Sequence, residues 1–237
     1  MKKATIVIPT YNQLDFLQGC ISSIRKHTDI PYEIIVVDSA STDGTVEWCR
    51  REKVPFISLP RNEGFSVACN KGLLLSSGDT LVLLNSYTLV THGWLSNLSA
   101  ALYSGSDIGI VGPITNYASG PQQAHYPFEN IDEFQRIAAE VNVSNPNKWK
   151  RFERVVGICF VFHRELMDKI GLLDEQFSVG DYEYDDFCLR AKLVGYSILV
   201  CHDTLIYHEG SATLLQEGIQ EQQKLVERNY QLFMDKW

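Results

Sequence analysis

The chain has 237 residues, a net charge of −8 and a composition that is 45% hydrophobic and 21% charged. That size supports one sizeable core or at most two small domains. The acidic balance, with no basic stripe, excludes nucleic acid as a partner class. No apolar run reaches the roughly 18 residues that a membrane helix needs.

The chain opens with "MKKATIVIPTYN". Its apolar stretch is too short for a signal peptide, so it reads as a first strand, and a cytoplasmic location is expected. "LDFLQGCISSIRKHT" follows as an amphipathic helix with Leu14, Leu17, Ile21 and Ile24 on one face. "YEIIVVDSASTDGT" is a strand ending in a turn-rich loop, and "TVEWCRRE" starts the next helix. "VPFISLP" is a strand, "RNEGFSVACNKGLLLSS" a loop and helix, and "GDTLVLLNS" a strand. Near-continuous apolar strands alternating with helices predict an α/β fold, a mostly parallel sheet with helices on both faces. Ligands of such sheets sit at the carboxyl ends of the strands. The polar loops after Ile8, Val37 and Leu84 are therefore expected to meet at one crevice.

Residues 113–154 are rich in Pro, Gly, Asn, Gln and Tyr and read as a long functional loop with a helix near 131–141. Beyond them come a strand and helix in "VVGICFVFHRELMDKIGLLDEQF". A further helix and two strand-like runs follow in "DYEYDDFCLRAKLVGYSILVCHDTLIYHEGS". An amphipathic helix from Glu217 to Trp237 closes the chain. Its apolar face (Leu225, Tyr230, Leu232, Phe233, Trp237) is expected to pack back onto the domain, with dimerisation as the alternative. The six cysteines form no CxxC pair and read as buried free thiols. No GxGxxG, GxxxxGK[ST] or GxSxG occurs, which disfavours a dehydrogenase, a P-loop protein and a Ser-His-Asp hydrolase.

Nine segments resemble, in order, those of the family 2 glycosyltransferases. They are "VIPTYNQ", "IIVVDSASTDGT", "RNEGFSVACNKG", "GDTLVLLN", "GWLSNL", "VGPITNYASGPQQ", "GICFVFHRELMDKIGLLDEQF", "YEYDDFCLRAKLVGY" and "YHEGS". The resemblance covers nearly the whole chain. It implies the GT-A fold, a Rossmann-like single domain, and a nucleotide-diphosphate sugar (UDP-, dTDP- or GDP-linked) as donor. The later segments look like the branch that builds cell-surface glycans or modifies proteins, so the acceptor is a glycan or a protein. Residues 1–112 would bind the donor and 113–237 the acceptor, in a monomer or a homodimer.

Each residue has a physical reading beside the resemblance. Pro9, Thr10, Tyr11 and Asn12 can set backbone groups and a ring beside a base. Asp38 ends a strand, where a carboxylate can accept from a ribose hydroxyl or a base N–H. Asn62 can read ribose or simply hold its turn, and Gly64 permits close backbone approach. Asn70 lies in the same nucleotide-side segment, and Lys71 is either a crevice cation or a solvated helix lysine. The loop 115–130 would shape the acceptor site, where Gln122, Gln123, Tyr117 and Tyr126 suit a sugar or peptide acceptor.

Two departures stand out. Relatives place an acidic pair after the strand that ends here in Asn85-Ser86-Tyr87, and its last Asp holds Mn2+ or Mg2+ against the donor's phosphates. A hard cation wants carboxylate oxygens, and Tyr87 is a neutral phenol. His208 matches a histidine that completes that site in many GT-A enzymes, or it caps a strand end. In "EYDDFCLR" the acid after Glu183 is the usual base, and Tyr184 stands there. Asp185 is then the first candidate for a surviving base, Glu183 the second, with Asp186 in the same cluster. If no metal binds, Lys71, Arg190 or a helix N-terminus is expected to neutralise the diphosphate. The chain is thus read as an inverting glycosyltransferase, with or without a metal. The alternative is a degenerate domain that binds a nucleotide, a sugar or a partner.

Overall fold

The structure is a computed structural model, and it describes residues 2–177, 182–210 and 219–237. Strands β1 (Ala4–Thr10), β2 (Tyr32–Asp38), β3 (Phe56–Ser58) and β4 (Thr80–Leu84) lie in the order β3-β2-β1-β4. All three ladders are parallel. Helices α1 (Leu14–His27), α2 (Thr45–Arg51) and α3 (Phe65–Leu75) make the crossovers. Every residue of β1 is buried. Successive side chains of a strand point to opposite faces, and both faces here are covered. Ile6 and Ile8 pack with Leu17 and Ile21 of α1, while Val7 packs with Cys69 and Leu73 of α3. That is why the sequence of this strand is continuously apolar rather than alternating.

The second half adds β5 (Thr88–Leu89), α4 (Trp94–Leu102), β6 (Ile108–Thr115), α5 (Ile131–Val141) and β7 (Trp149–Phe152). After these come β8 (Cys159–His163), α6 (Arg164–Ile170), α7 (Glu183–Leu193), β9 (Ser197–His208) and α8 (Ile219–Lys236). The sheet continues β4-β8-β6-β9-β5, with β7 paired to β9. β8 runs antiparallel to both β4 and β6, whereas β6 and β9 are parallel. The parallel expectation thus describes the first half, and an antiparallel strand joins it to the second. The two strand-like runs of "YSILVCHDTLIYH" are one strand, β9. Its register shifts where Pro113 pairs with Cys201 and Ile114 with Leu205. The shift has a local cause. Buried Asp203 accepts hydrogen bonds from Asn145 N (2.7 Å) and Trp149 Nε1 (2.8 Å), so the bulge holds the loop leading into β7.

All six cysteines are free and buried. Among the described residues, no helix is long and apolar enough to cross a membrane. The closing helix packs back onto the domain, as its apolar face implied. Phe233 meets Phe177 and Tyr182, and Tyr230 meets Tyr182. Residues 217 and 218 of the expected helix, and Asp181 of the acidic cluster, lie outside the described residues.

One correction follows from that packing. Asp186 is fully buried and is not a candidate base. Its carboxylate accepts from Arg190 Nε (2.8 Å) and from Trp237 Nε1 (2.9 Å), and it pairs with Lys236 Nζ (2.6 Å). Arg190 spends its other nitrogens on the carbonyls of Ile170 (2.6 Å) and Leu172 (2.8 Å), so it is no diphosphate ligand either. This buried ionic knot ties α7, α8 and the turn after α6 together. Removing one partner of such a knot leaves uncompensated buried charge. Asp186→Ala is expected to cost about 3–5 kcal/mol and to lower Tm by about 10 °C. A thermal melt showing a fall under about 3 °C would contradict the assignment.

Candidate active site

The loops after β1 and β4 open onto one cleft of about 570 Å³ at the carboxyl end of the parallel strands. Pro9, Thr10 and Tyr11 form one wall, with Gln13 behind them. Asn85, Ser86 and Tyr87 form the floor after β4. The floor is pinned from both sides. Asn85 N donates to Ile158 O (3.0 Å), and Ser86 Oγ donates to Gln13 Oε1 (2.6 Å). Asn62 and Gly64 also line the cleft. Gly64 N donates to Asn62 Oδ1 (3.1 Å), and Gly64 has φ of +95°, a conformation that glycine takes without strain. It stands immediately before α3, so the start of that helix faces the cleft.

Four predicted nucleotide residues lie elsewhere. Asp38 is fully buried, and its carboxylate accepts from Ser41 N (3.3 Å) and Ser58 Oγ (3.4 Å); its neighbour Ser39 lines the cleft instead. Asn12 shapes the adjoining loop by accepting from Thr42 N (2.8 Å). Asn70 is buried and braces the turn after α6, donating to Leu173 O (2.9 Å) and accepting from Leu173 N (3.0 Å). Lys71 does not line the cleft but faces an adjoining, more open depression with Arg61 and Glu175, which shares Asn62 and Gly64 with the cleft. On the acceptor side, Gln122 is buried and structural, donating to Pro113 O (2.8 Å) and accepting from Val156 N (2.6 Å). Tyr126 packs against the core, and Tyr117 alone of these lines the cleft, with half its surface exposed.

The opposite wall is the start of α7. Glu183, Tyr184 and Asp185 all line the cleft. Helix begins at Glu183, yet residues 183 and 185 both reach it because the helix presents its end rather than one side. Glu183 is nearly fully buried. Asp185 is held by Arg154, whose Nη1 lies 2.9 and 3.0 Å from the two carboxylate oxygens. Tyr184 lies flat over Gly157, where an added Cβ would come within 1.8 Å of the ring. It also packs on Phe65 and Phe160. Its hydroxyl is buried with no hydrogen-bond partner among the described residues. Burial pushes the phenol well above its ordinary pKa of 10, with Cys69 and Glu183 adding to the effect. Tyr184 is therefore neutral and cannot replace the missing carboxylate as a base.

The cation position fails the same test of chemistry. Tyr87 places its ring against His208, with centroids 5.3 Å apart, and against Phe16 at 6.4 Å. His208 Nδ1 lies 2.9 Å from Tyr117 O, a carbonyl that can only accept, so the proton sits on Nδ1. Its Nε2 is buried with no hydrogen-bond partner among the described residues. One imidazole nitrogen beside an aromatic stack is not a donor set for Mn2+ or Mg2+. Among the described residues no group of three or more His, Cys, Asp or Glu side chains could hold a metal ion.

With this geometry in view, a family model for glycosyl transferase family 2 matches residues 5–171. The chain belongs to that family. Among curated relatives, the glycosyltransferase AglE of Haloferax volcanii is 26% identical over 86% of this chain and 66% of its own length. The uncharacterized protein y4gI of Sinorhizobium fredii is 27% identical over 98% of this chain but only 27% of its own. The chain thus spans between about a quarter and two thirds of these relatives. Two solved structures show the fold. Mannosyltransferase PcManGT from Pyrobaculum calidifontis, in complex with GDP-Man and Mn2+, superposes with a TM-score of 0.67 at 21% identity, covering 87% of this chain and 56% of that one. GalNAc-T7, with UDP, GalNAc and Mn2+, gives 0.70 at 18%, covering 89% and 45%. The GT-A architecture of the family 2 chain is therefore established.

Arg154, Gln13 and Gly157 were missed by sequence reading. Arg154 sits in a polar tract whose place depends on the direction of β8, which no local pattern reveals. The Tyr184 hydroxyl, unpartnered among the described residues, gives a direct test. A buried donor without a partner destabilises the fold that holds it. Tyr184→Phe is expected to leave stability unchanged or raise it by up to about 1 kcal/mol in a urea titration. A loss above about 1 kcal/mol would show that the hydroxyl is bonded in solution.

Proposed function

We propose that this chain is a working glycosyltransferase that transfers a sugar, with inversion, from a nucleotide-diphosphate donor to an acceptor hydroxyl, and that it does so without a bound metal. The carrying observation is the cleft itself, which sets the loops of β1 and β4 opposite two carboxylates on α7. The nucleotide lies along the residues 1–112 side, beside Tyr11, Asn62 and Gly64. The acceptor enters past Tyr117, from the residues 113–237 side, where an exposed ring can stack on a sugar or a peptide group.

In this reading Asp185 is the base, and Glu183 lies beside it as the second candidate. The acceptor oxygen forms a bond to the anomeric carbon as the carbon–phosphate-oxygen bond breaks. The hydroxyl proton goes to the carboxylate, and the bonding pair leaves with the nucleoside diphosphate. One displacement reverses the configuration. The leaving group gains negative charge, which needs electrostatic stabilisation in the cleft. The relatives named as glycosyltransferases favour this over a binding module, and the match to family 2 carries the donor class. Tyr184 in the base position is the observation that favours the module.

Calorimetric titration with UDP, dTDP and GDP, each in EDTA and in Mn2+, tests the reading. One nucleotide is expected to bind with a Kd that differs less than about threefold between the two conditions, and the matching donor sugar to turn over in EDTA. Binding that requires Mn2+ would overturn the metal-free reading. Binding with no release of nucleoside diphosphate across an acceptor panel would favour the module.

A further inference from the structure

Arg154 is, among the described residues, the one lysine or arginine side chain that lines the cleft. It stands on the link between β7 and β8, and that link is anchored around it. Glu153 pairs with Lys192, Val155 is buried, Val156 N is bonded to Gln122, and Gly157 lies under Tyr184. The backbone is fixed while the guanidinium side chain remains half exposed. Its partner, Asp185, is the carboxylate placed to act as the base. A protein whose cation position is filled by Tyr87 and His208 thus keeps its cleft arginine paired with its own base.

We infer that Arg154 is a donor-operated latch: it leaves Asp185 to bind the donor's diphosphate, so that the donor both gains the positive charge the cleft otherwise lacks and frees the base. This rests on the reading of the cleft as a nucleotide-diphosphate sugar site. The chemistry of the exchange is that of one guanidinium moving between two oxyanions. A guanidinium forks onto phosphate oxygens as it does onto a carboxylate. A diphosphate carries more charge than one carboxylate, so it competes well for the single cation. The side chain moves about one hinge, its own flexible stem, and the ion pair it breaks is partly exposed, so the pair holds it only weakly. The order of binding follows. Without donor, Asp185 is neutralised and an acceptor hydroxyl meets no available base. With donor bound, Asp185 is available beside the anomeric carbon. Hydrolysis or transfer before donor binding has no meaning here, and acceptor binding alone does not arm the site.

The latch makes an unusual demand of mutants. Removing Asp185 should strengthen donor binding, because nothing then competes for Arg154. The measurement is calorimetric Kd in EDTA for the nucleoside diphosphate that the wild type binds, with its parent nucleoside as control. Arg154→Ala is expected to weaken the diphosphate about tenfold or more and leave the nucleoside unchanged. Arg154→Lys should fall between, since an ammonium keeps the charge and loses the fork. Asp185→Asn is expected to tighten the diphosphate about threefold or more, with the nucleoside again unchanged. Thermal melts of all variants should match wild type, as the pair is partly exposed. A diphosphate Kd that is unchanged in Arg154→Ala, or unchanged or weaker in Asp185→Asn, overturns the latch while leaving the site reading intact. A wild type that binds no nucleoside diphosphate in either EDTA or Mn2+ overturns the site reading, and the latch with it.

Discussion

The antiparallel pairing of β8 with β4 is the constraint on which the site depends. Leu84 pairs with Cys159, and Asn85 N donates to Ile158 O just past the ladder. A parallel strand would have brought its far end to this place. Because β8 runs the other way, the residues that precede it, Arg154 to Ile158, arrive beside the floor built by Asn85, Ser86 and Tyr87. The first and second halves of the chain therefore meet beside the cleft along this ladder, and again where β5 pairs with β9. Tyr184 then seals that junction, since its ring fits only over a residue without a side chain, Gly157. Shifting either strand by one residue would turn its side chains to the other face and undo the cleft.

The electrostatics of the cleft follow from what occupies each charged position. The chain is acidic overall, and two carboxylates, Glu183 and Asp185, line the cleft in which the proposed reading places a diphosphate. An aromatic stack, Phe16–Tyr87–His208–Tyr117, fills the region where the resemblance placed a cation. The stack holds no carboxylate, and burial lowers the His208 pKa despite its hydrogen bond to Tyr117. In the metal-free reading proposed above, positive charge comes from the protein, and Arg154 is the one lysine or arginine among the described residues that lines the cleft. Arg190 and Lys236 are committed to buried Asp186, and Lys71 faces the adjoining depression rather than the cleft. Two structures that share this fold were solved with Mn2+, whereas among the described residues here no group of three or more His, Cys, Asp or Glu side chains could hold a metal ion.

Much of this was legible in the sequence. The first four strands and three helices followed from apolar runs and turn chemistry, and the crevice followed from the rule that loops at strand ends converge. Tyr87 and Tyr184 were visible as substitutions because both sit inside recognisable motifs. What stayed hidden was set by tertiary geometry. The direction of β8 cannot be read from "ICFVFH", since parallel and antiparallel buried strands share the same pattern. Asp186 and Asp185 are adjacent in sequence, and only the packing of α8 sends one into the core and leaves the other in the cleft. Asn70 looked like a nucleotide ligand because it stands in a nucleotide-side motif, yet helix geometry turns it inward to hold the Leu173 turn. Gln122 misled for the same reason: a polar side chain in a polar loop can be satisfied entirely by backbone.

The most direct measurement is a crystal structure of the protein grown with the preferred nucleoside diphosphate and Mn2+, with data collected at the manganese edge. The account predicts no anomalous peak between Tyr87, His208 and the phosphates, and a guanidinium of Arg154 within hydrogen-bond distance of a phosphate oxygen and away from Asp185. A manganese ion bridging the phosphates, with Arg154 still on Asp185, would contradict it.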